Sequence, residues 1–384
     1  MSAVALHHEV SGPAHAPVLL LGASLGTTLA LWPELQLRAL EERMRVVRFD
    51  ARGHGRSPAP PGPYEIADLG GDVLALMSRL GIERASYCGV SIGGMVGMWL
   101  AANAPERIER LVLICTSAHV PPASRWAERA AAVRAAGTTE PIADAVVGRW
   151  VTPLFASRHP DTVAWLRAML LSAPPEGYAA CCGAIERMDL RADLTAIRAP
   201  TLVVAGADDQ AIPPDHGRAI AAAVSGAQLE VLPQAAHLAN VEHPGDVARL
   251  ILSHCVGPPD ALHDAGMRVR REVLGAAHVE RAIERTTEFT APFQDLITRF
   301  AWGSVWTRGG LDRRTRSCIT LALLTALRAE DELALHVRAA RRNGLTPDEI
   351  REVLLHTAVY AGVPAANTAF AIAQRVLDEE TGSG

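Results

Sequence analysis

Ala85-Ser-Tyr-Cys-Gly89-Val-Ser91-Ile-Gly93-Gly94 is the stretch on which the fold turns. Its first four residues read as a short buried strand, and the run from Gly94 to Asn103 reads as a helix. A serine on the turn between them has a strained backbone and needs small neighbours, which Gly89 and Gly93 provide. Such a turn lifts the hydroxyl clear of the sheet, and the helix N-terminus behind it favours developing negative charge. The pattern G-x-S-x-G alone is weak. Placed between a strand and a helix, it marks Ser91 as a candidate nucleophile.

Outward from this turn, apolar runs at 17–22, 45–49, 111–115, 201–206 and 228–232 end in turn residues, as buried parallel strands do. Helical patterns such as Ile66–Leu80 lie between them, which implies βαβ units and an α/β fold with a parallel sheet. From about 124 to 190 the strand signals stop, and a helical insertion is expected there as a lid. A helix is expected from about Pro244 to Cys255. Residues 257–266, opening Gly-Pro-Pro-Asp, read as a linker. The domain boundaries are therefore 1–256 and 267–384. Beyond the linker only helical periodicity remains, over 267–285, 313–328, 332–343, 347–361 and 365–380, so the second domain is expected to be smaller and all-α. Gly344 ends one of these helices, and Thr346-Pro347-Asp348-Glu349 begins the next with a capping box.

Serine needs a base, and in this fold order an acid and then a histidine come after the nucleophile. Asp209 follows the 201–206 strand, four residues before Pro213, and His237 follows the 228–232 strand. Asp208 is the rival acid. His243 is the rival histidine and is expected to stabilise its own loop. Two backbone N–H groups are needed for an oxyanion. Ile92 supplies one, and Leu25, in Gly22-Ala-Ser24-Leu25-Gly26-Thr27, the other. Ser24 adds a side-chain hydroxyl.

Asp50-Ala-Arg52-Gly53-His54-Gly55-Arg56-Ser57, together with Gly89–Gly94, Asp209 and His237, resembles the α/β-hydrolase superfamily over residues 1–256. Ser24–Thr27 and Ala236–Pro244 look more narrowly like 3-oxoadipate enol-lactonases, although Ala23 stands where that subfamily carries a polar residue. The resemblance implies a Ser91-His237-Asp209 triad that opens a lactone, with an arginine of the lid (Arg125, Arg134 or Arg187) holding the substrate carboxylate. It also implies that Arg52–Ser57 is structural.

Gly303–Trp306, Gly310–Ser317, Glu332–His336 and Leu354–Asn367 are similar to 4-carboxymuconolactone decarboxylases over about 267–380. Related peroxidases use a C-x-x-C pair, which this chain lacks. The implied reaction needs no metal or cofactor, because the lactone accepts the electron pair itself. Arg313 and Arg316 are the expected carboxylate ligands, with His336 or His356 as polarising or proton-donating groups. Glu332, one helical turn before His336, is expected to orient it. Together the resemblances imply a bifunctional enzyme for consecutive steps of the β-ketoadipate pathway. The competing readings are a helical domain that only assembles copies of the chain, and a broad esterase.

The bulk properties fit. Net charge is −5 with no long basic run, which argues against nucleic acid or an anionic membrane as partner. No apolar run reaches the ~20 residues a bilayer requires. Six scattered cysteines without a C-x-x-C read as reduced thiols in a cytoplasmic protein, and Cys181-Cys182 as small residues on a helix. The expected partners are small lactone carboxylates and other copies of the chain, joined through the helical domain.

Overall fold

The computed structural model describes residues 2–257 and 261–381. The chain divides into two compact units, with the boundary at residue 258.

The first unit is a seven-stranded sheet of β1 (His8–Ser11), β2 (Val18–Gly22), β3 (Arg45–Phe49), β4 (Ala85–Val90), β5 (Ile108–Ile114), β6 (Thr201–Gly206) and β7 (Gln228–Leu232). Their spatial order is β1-β3-β2-β4-β5-β6-β7. All neighbours are parallel except β1, which pairs antiparallel with β3. Every residue of β4 and β6 is buried, as expected of strands covered on both faces. The edge strand β1 is the one strand that sequence reading missed, being four residues long with no apolar alternation.

Helices α1 (Glu34–Glu41), α2 (Ile66–Arg79) and α3 (Ile92–Asn103) belong to the first half of the sheet. Five helices then form the insertion: α4 (Ala123–Ala136), α5 (Ala143–Val147), α6 (Pro153–Arg158), α7 (Pro160–Leu171) and α8 (Pro175–Arg187). Cys181 and Cys182 are buried on α8. The unit ends with α9 (Pro214–Ala223), α10 (Ala239–Glu242) and α11 (Pro244–Val256). Strand register aligns the carboxyl ends. Gly22 of β2 pairs with Gly89 of β4, and Gly206 of β6 with Leu232 of β7. These ends thus form one edge, where α/β sheets keep their sites. Beneath that edge Arg52 is buried in a two-pronged pair with Asp72, both N···O distances 2.7 Å. This is how a core guanidinium is normally neutralised.

The second unit holds α12 (Ala261–Leu274), α13 (Ala276–Glu284), α14 (Ala291–Ile297), α15 (Arg313–Leu327), α16 (Glu330–Arg342), α17 (Pro347–Ala361) and α18 (Val363–Thr381). A nine-residue π-helix, Thr298–Trp306, continues from α14. Residues 261–266, read as linker from sequence, lie inside α12, and 258–260 lie outside the described residues. The single helix expected over 267–285 breaks at Gly275, whose φ of +89° no other residue adopts readily. The capping box at α17 forms as expected: Thr346 Oγ1 accepts from Glu349 N, and Glu349 accepts from Thr346 N. One core contains Leu321, Leu333, Val337, Leu354 and Val376; a smaller one joins Val269, Val273, Val279 and Trp302. No helix among the described residues is long and apolar enough to cross a membrane.

Candidate active sites

Ser91 sits between β4 and α3 with φ 56° and ψ −117°, a conformation few L-residues adopt. Crowding explains its glycine neighbours. A Cβ on Gly89 would lie 2.2 Å from Gly93 O, and one on Gly93 2.5 Å from Gly22 O. The loops after β6 and β7 bring the other two groups to the serine. His237 Nε2 lies 3.0 Å from Ser91 Oγ, and His237 Nδ1 lies 2.8 Å from Asp209 Oδ2. Asp209 Oδ1 accepts from Ala211 N and Ile212 N at 2.8 and 2.9 Å, which fixes the carboxylate. Asp208 points elsewhere, into an outer groove. His243 Nε2 bonds Gln234 O at 2.9 Å, within its own loop.

Ser24, Leu25, Ser91 and His237 line one small chamber of about 40 Å³. Ile92 opens α3, where the first N–H groups have no intrahelical partner. His54 supports the facing loop: Gly26 N donates to its Nε2 at 2.9 Å, and its Nδ1 lies 3.2 Å from Arg52 O. Burial pushes this imidazole below its usual pKa.

The chamber roof is cationic. Arg125 and Arg129 of α4 and Arg149 all line it, with Trp126, Trp150 and Tyr178. None of the three arginines makes an ion pair among the described residues. Burial, then repulsion by Arg149 and Arg129, holds Arg125 below its usual pKa. The other two lid candidates are engaged elsewhere, Arg134 with Glu176 and Arg187 with Glu65. Arg149 also lines the outer groove of about 610 Å³ with Arg158 and His159. Sequence reading missed Arg129 and Arg149, and it missed Glu242. That carboxylate accepts from Thr152 N and Oγ1 of the lid, both 2.8 Å, and from Ala236 N at 2.6 Å, next to His237.

In the second unit the expected residues lie on three helices, α15, α16 and α17. His336 is half-buried on α16, with Glu332 one turn earlier on the same face. Burial holds His336 below its usual pKa; Glu332 opposes this and His278 reinforces it. His356 is exposed on α17, its ring tilted against that of Tyr360 with centroids 5.1 Å apart. Arg313 pairs with Glu272, and Arg316 is held by the carbonyls of Leu311 and Arg308. Both guanidinium groups are thus occupied within the fold. Sequence reading missed His278, whose charge lowers the His336 pKa, and Arg270, whose charge lowers that of His278.

The chain belongs to the alpha/beta hydrolase fold family, whose model matches residues 16–244. The carboxymuconolactone decarboxylase family matches residues 291–375. Over 241 residues the first unit is 41% identical to 3-oxoadipate enol-lactonase 2 of Acinetobacter baylyi, covering 63% of this chain and 89% of that protein. The second is 51% identical over 114 residues to 4-carboxymuconolactone decarboxylase of the same organism, covering 30% of this chain and 85% of that protein. Among solved structures, the enol-lactonase from Burkholderia xenovorans LB400 superposes with a TM-score of 0.64 at 41% identity, covering 65% of this chain and 96% of that one.

Proposed function

We propose that this chain is a bifunctional enzyme of the β-ketoadipate pathway. The second unit decarboxylates 4-carboxymuconolactone to 3-oxoadipate enol-lactone, and the first hydrolyses that lactone to 3-oxoadipate. The observation that carries the hydrolytic half is the unbroken relay from Asp209 through His237 to Ser91. Ser91 Oγ attacks the lactone carbonyl while His237 Nε2 takes its proton, and Asp209 holds the imidazole in the required tautomer. The oxyanion rests on the N–H groups of Leu25 and Ile92. The ring oxygen leaves as an enolate, which tautomerises to a ketone, so departure is easy. Water activated by His237 then frees the acyl chain. Arg125, Arg129 and Arg149 hold the substrate's carboxylate, which keeps the lactone carbonyl over Ser91.

Copies of the chain associate through the second unit. Supporting this, Leu323 and Leu327 of α15 and Val359 and Tyr360 of α17 are large apolar side chains 56–80% exposed. His356 lies on this same α17.

The test is to supply 4-carboxymuconolactone and follow both products. Wild type is expected to release CO2 and form 3-oxoadipate. Ser91→Ala is expected to release CO2 at the wild-type rate and stop at the enol-lactone, apart from slow spontaneous opening. A wild-type protein that releases no CO2 sinks the decarboxylase half. A Ser91→Ala protein that still forms 3-oxoadipate at the wild-type rate sinks the serine mechanism.

A further inference from the structure

Arg270 of α12 is 7% exposed. Its Nη1 reaches Thr298 Oγ1 at 3.3 Å and its Nη2 reaches Gln294 Oε1 at 3.0 Å. Its buried Nε has no partner. Both partners are neutral, and no carboxylate faces it among the described residues. The contrast with Arg52, gripped by Asp72, shows what this chain does with a guanidinium buried for structure alone. Glu280 of α13 pairs with Arg271, and Asp295 of α14 with Arg299. An ion buried without a counter-ion costs several kcal/mol, so a fold keeps one where a ligand supplies the missing charge.

The surroundings are those of a site. Thr298 opens the π-helix, a geometry rare in helices and concentrated at functional positions. α12 presses against it closely enough that a Cβ on Gly266 would lie 2.2 Å from Thr298 O, and one on Gly303 2.3 Å from Leu262 O. Arg270 is therefore held between three helical segments. Burial first, then the positive field of Arg281, Arg270, Arg342 and Arg285, holds the His278 imidazole of α13 below its usual pKa.

We propose that Arg270 is the anion-binding residue of the second unit, taking the carboxylate that the substrate keeps. The assignment of a carboxylated lactone as ligand rests on the decarboxylase reading of this unit. In that reaction the bond to the departing carboxyl carbon breaks and CO2 leaves. The electron pair passes through the ring to the lactone carbonyl, and a proton from an imidazole or from water closes the step at the carbon beside that carbonyl. A cation on the departing carboxylate would stabilise the ground state and slow its loss. Arg270 therefore holds the other carboxylate.

The experiment uses the full chain carrying Ser91→Ala, titrated calorimetrically with the saturated lactone 5-oxotetrahydrofuran-2-acetate, which has no carboxyl group to lose. Two equivalents are expected to bind, one per unit, and Arg270→Met is expected to leave one. In the wild-type background, Arg270→Met is expected to reduce kcat/KM for CO2 release at least a hundredfold, to leave enol-lactone hydrolysis unchanged and to leave the melting temperature equal or higher. Unchanged stoichiometry, or CO2 release within threefold of wild type, overturns the proposal. Should Arg270→Met melt early, Arg270→Lys decides: a KM raised tenfold in a normally folded protein supports the site, and an unchanged KM overturns it. If one equivalent is lost in Arg270→Met yet wild type releases no CO2, the anion site stands and the decarboxylase reading falls.

Discussion

Arg125, Arg129 and Arg149 line the chamber over Ser91, and none of them makes an ion pair among the described residues. Three cations over one nucleophile select for an anionic lactone against a neutral ester of similar shape. Replacing Arg149 or Arg125 with Met is expected to raise KM for the enol-lactone about tenfold per residue, of the order of a charge-assisted hydrogen bond. It should leave kcat and the turnover of a neutral aryl ester within twofold. Steady-state kinetics on both substrates checks this, and equal losses on both would deny the arginines a carboxylate role. The residue scale also shows what sequence can carry. Ser91, Asp209 and His237 are legible because each follows a strand end whose local pattern is visible. Whether an arginine is free depends on which acid lies across the fold. Arg134 looks as good as Arg125 until Glu176 is found beside it, and Arg270 is an ordinary helix residue until its burial is known.

Among elements, the loop Gly22–Thr27 depends on one neutral imidazole. Gly26 N donates to His54 Nε2, which must therefore be unprotonated. Because the folded-state pKa is depressed, the folded chain refuses a proton that the unfolded chain accepts. The stability tied to His54 is thus fully present above the unfolded value of about 6.5 and is lost as pH falls below it. Melting temperature is expected to decline more steeply from pH 6.5 to 5 in wild type than in His54→Gln, whose side chain does not titrate. Parallel curves would show that His54 carries none of the acid sensitivity. Elements were legible where periodicity was long, as in α15 to α18. Among those that escaped are β1, paired with β3, and the α14–π-helix segment, where the wide turn scrambles a 3.6-residue pattern.

For the whole molecule, the apolar faces of α15 and α17 make self-association measurable. Wild type is expected to sediment as an oligomer at micromolar concentration, and Leu327→Glu with Val359→Glu to sediment as a folded monomer. A wild-type monomer would refute the association. Burying four such side chains is worth roughly 6 kcal/mol at about 1.5 kcal/mol each, before the entropy of association is charged against it. The division into two units was legible from the disappearance of strand patterns, but the start of α12 was not, because a Pro-Pro break reads the same whether a linker or a helix comes next.

Glu242 ties the lid to the loop that carries the general base, with Thr152 on one side and Ala236 on the other. A joint of this kind transmits in both directions, since any coupling free energy between two parts of a molecule is shared equally by them. A shift of Thr152 is therefore felt at the loop that carries His237, and a shift of that loop is felt at the lid.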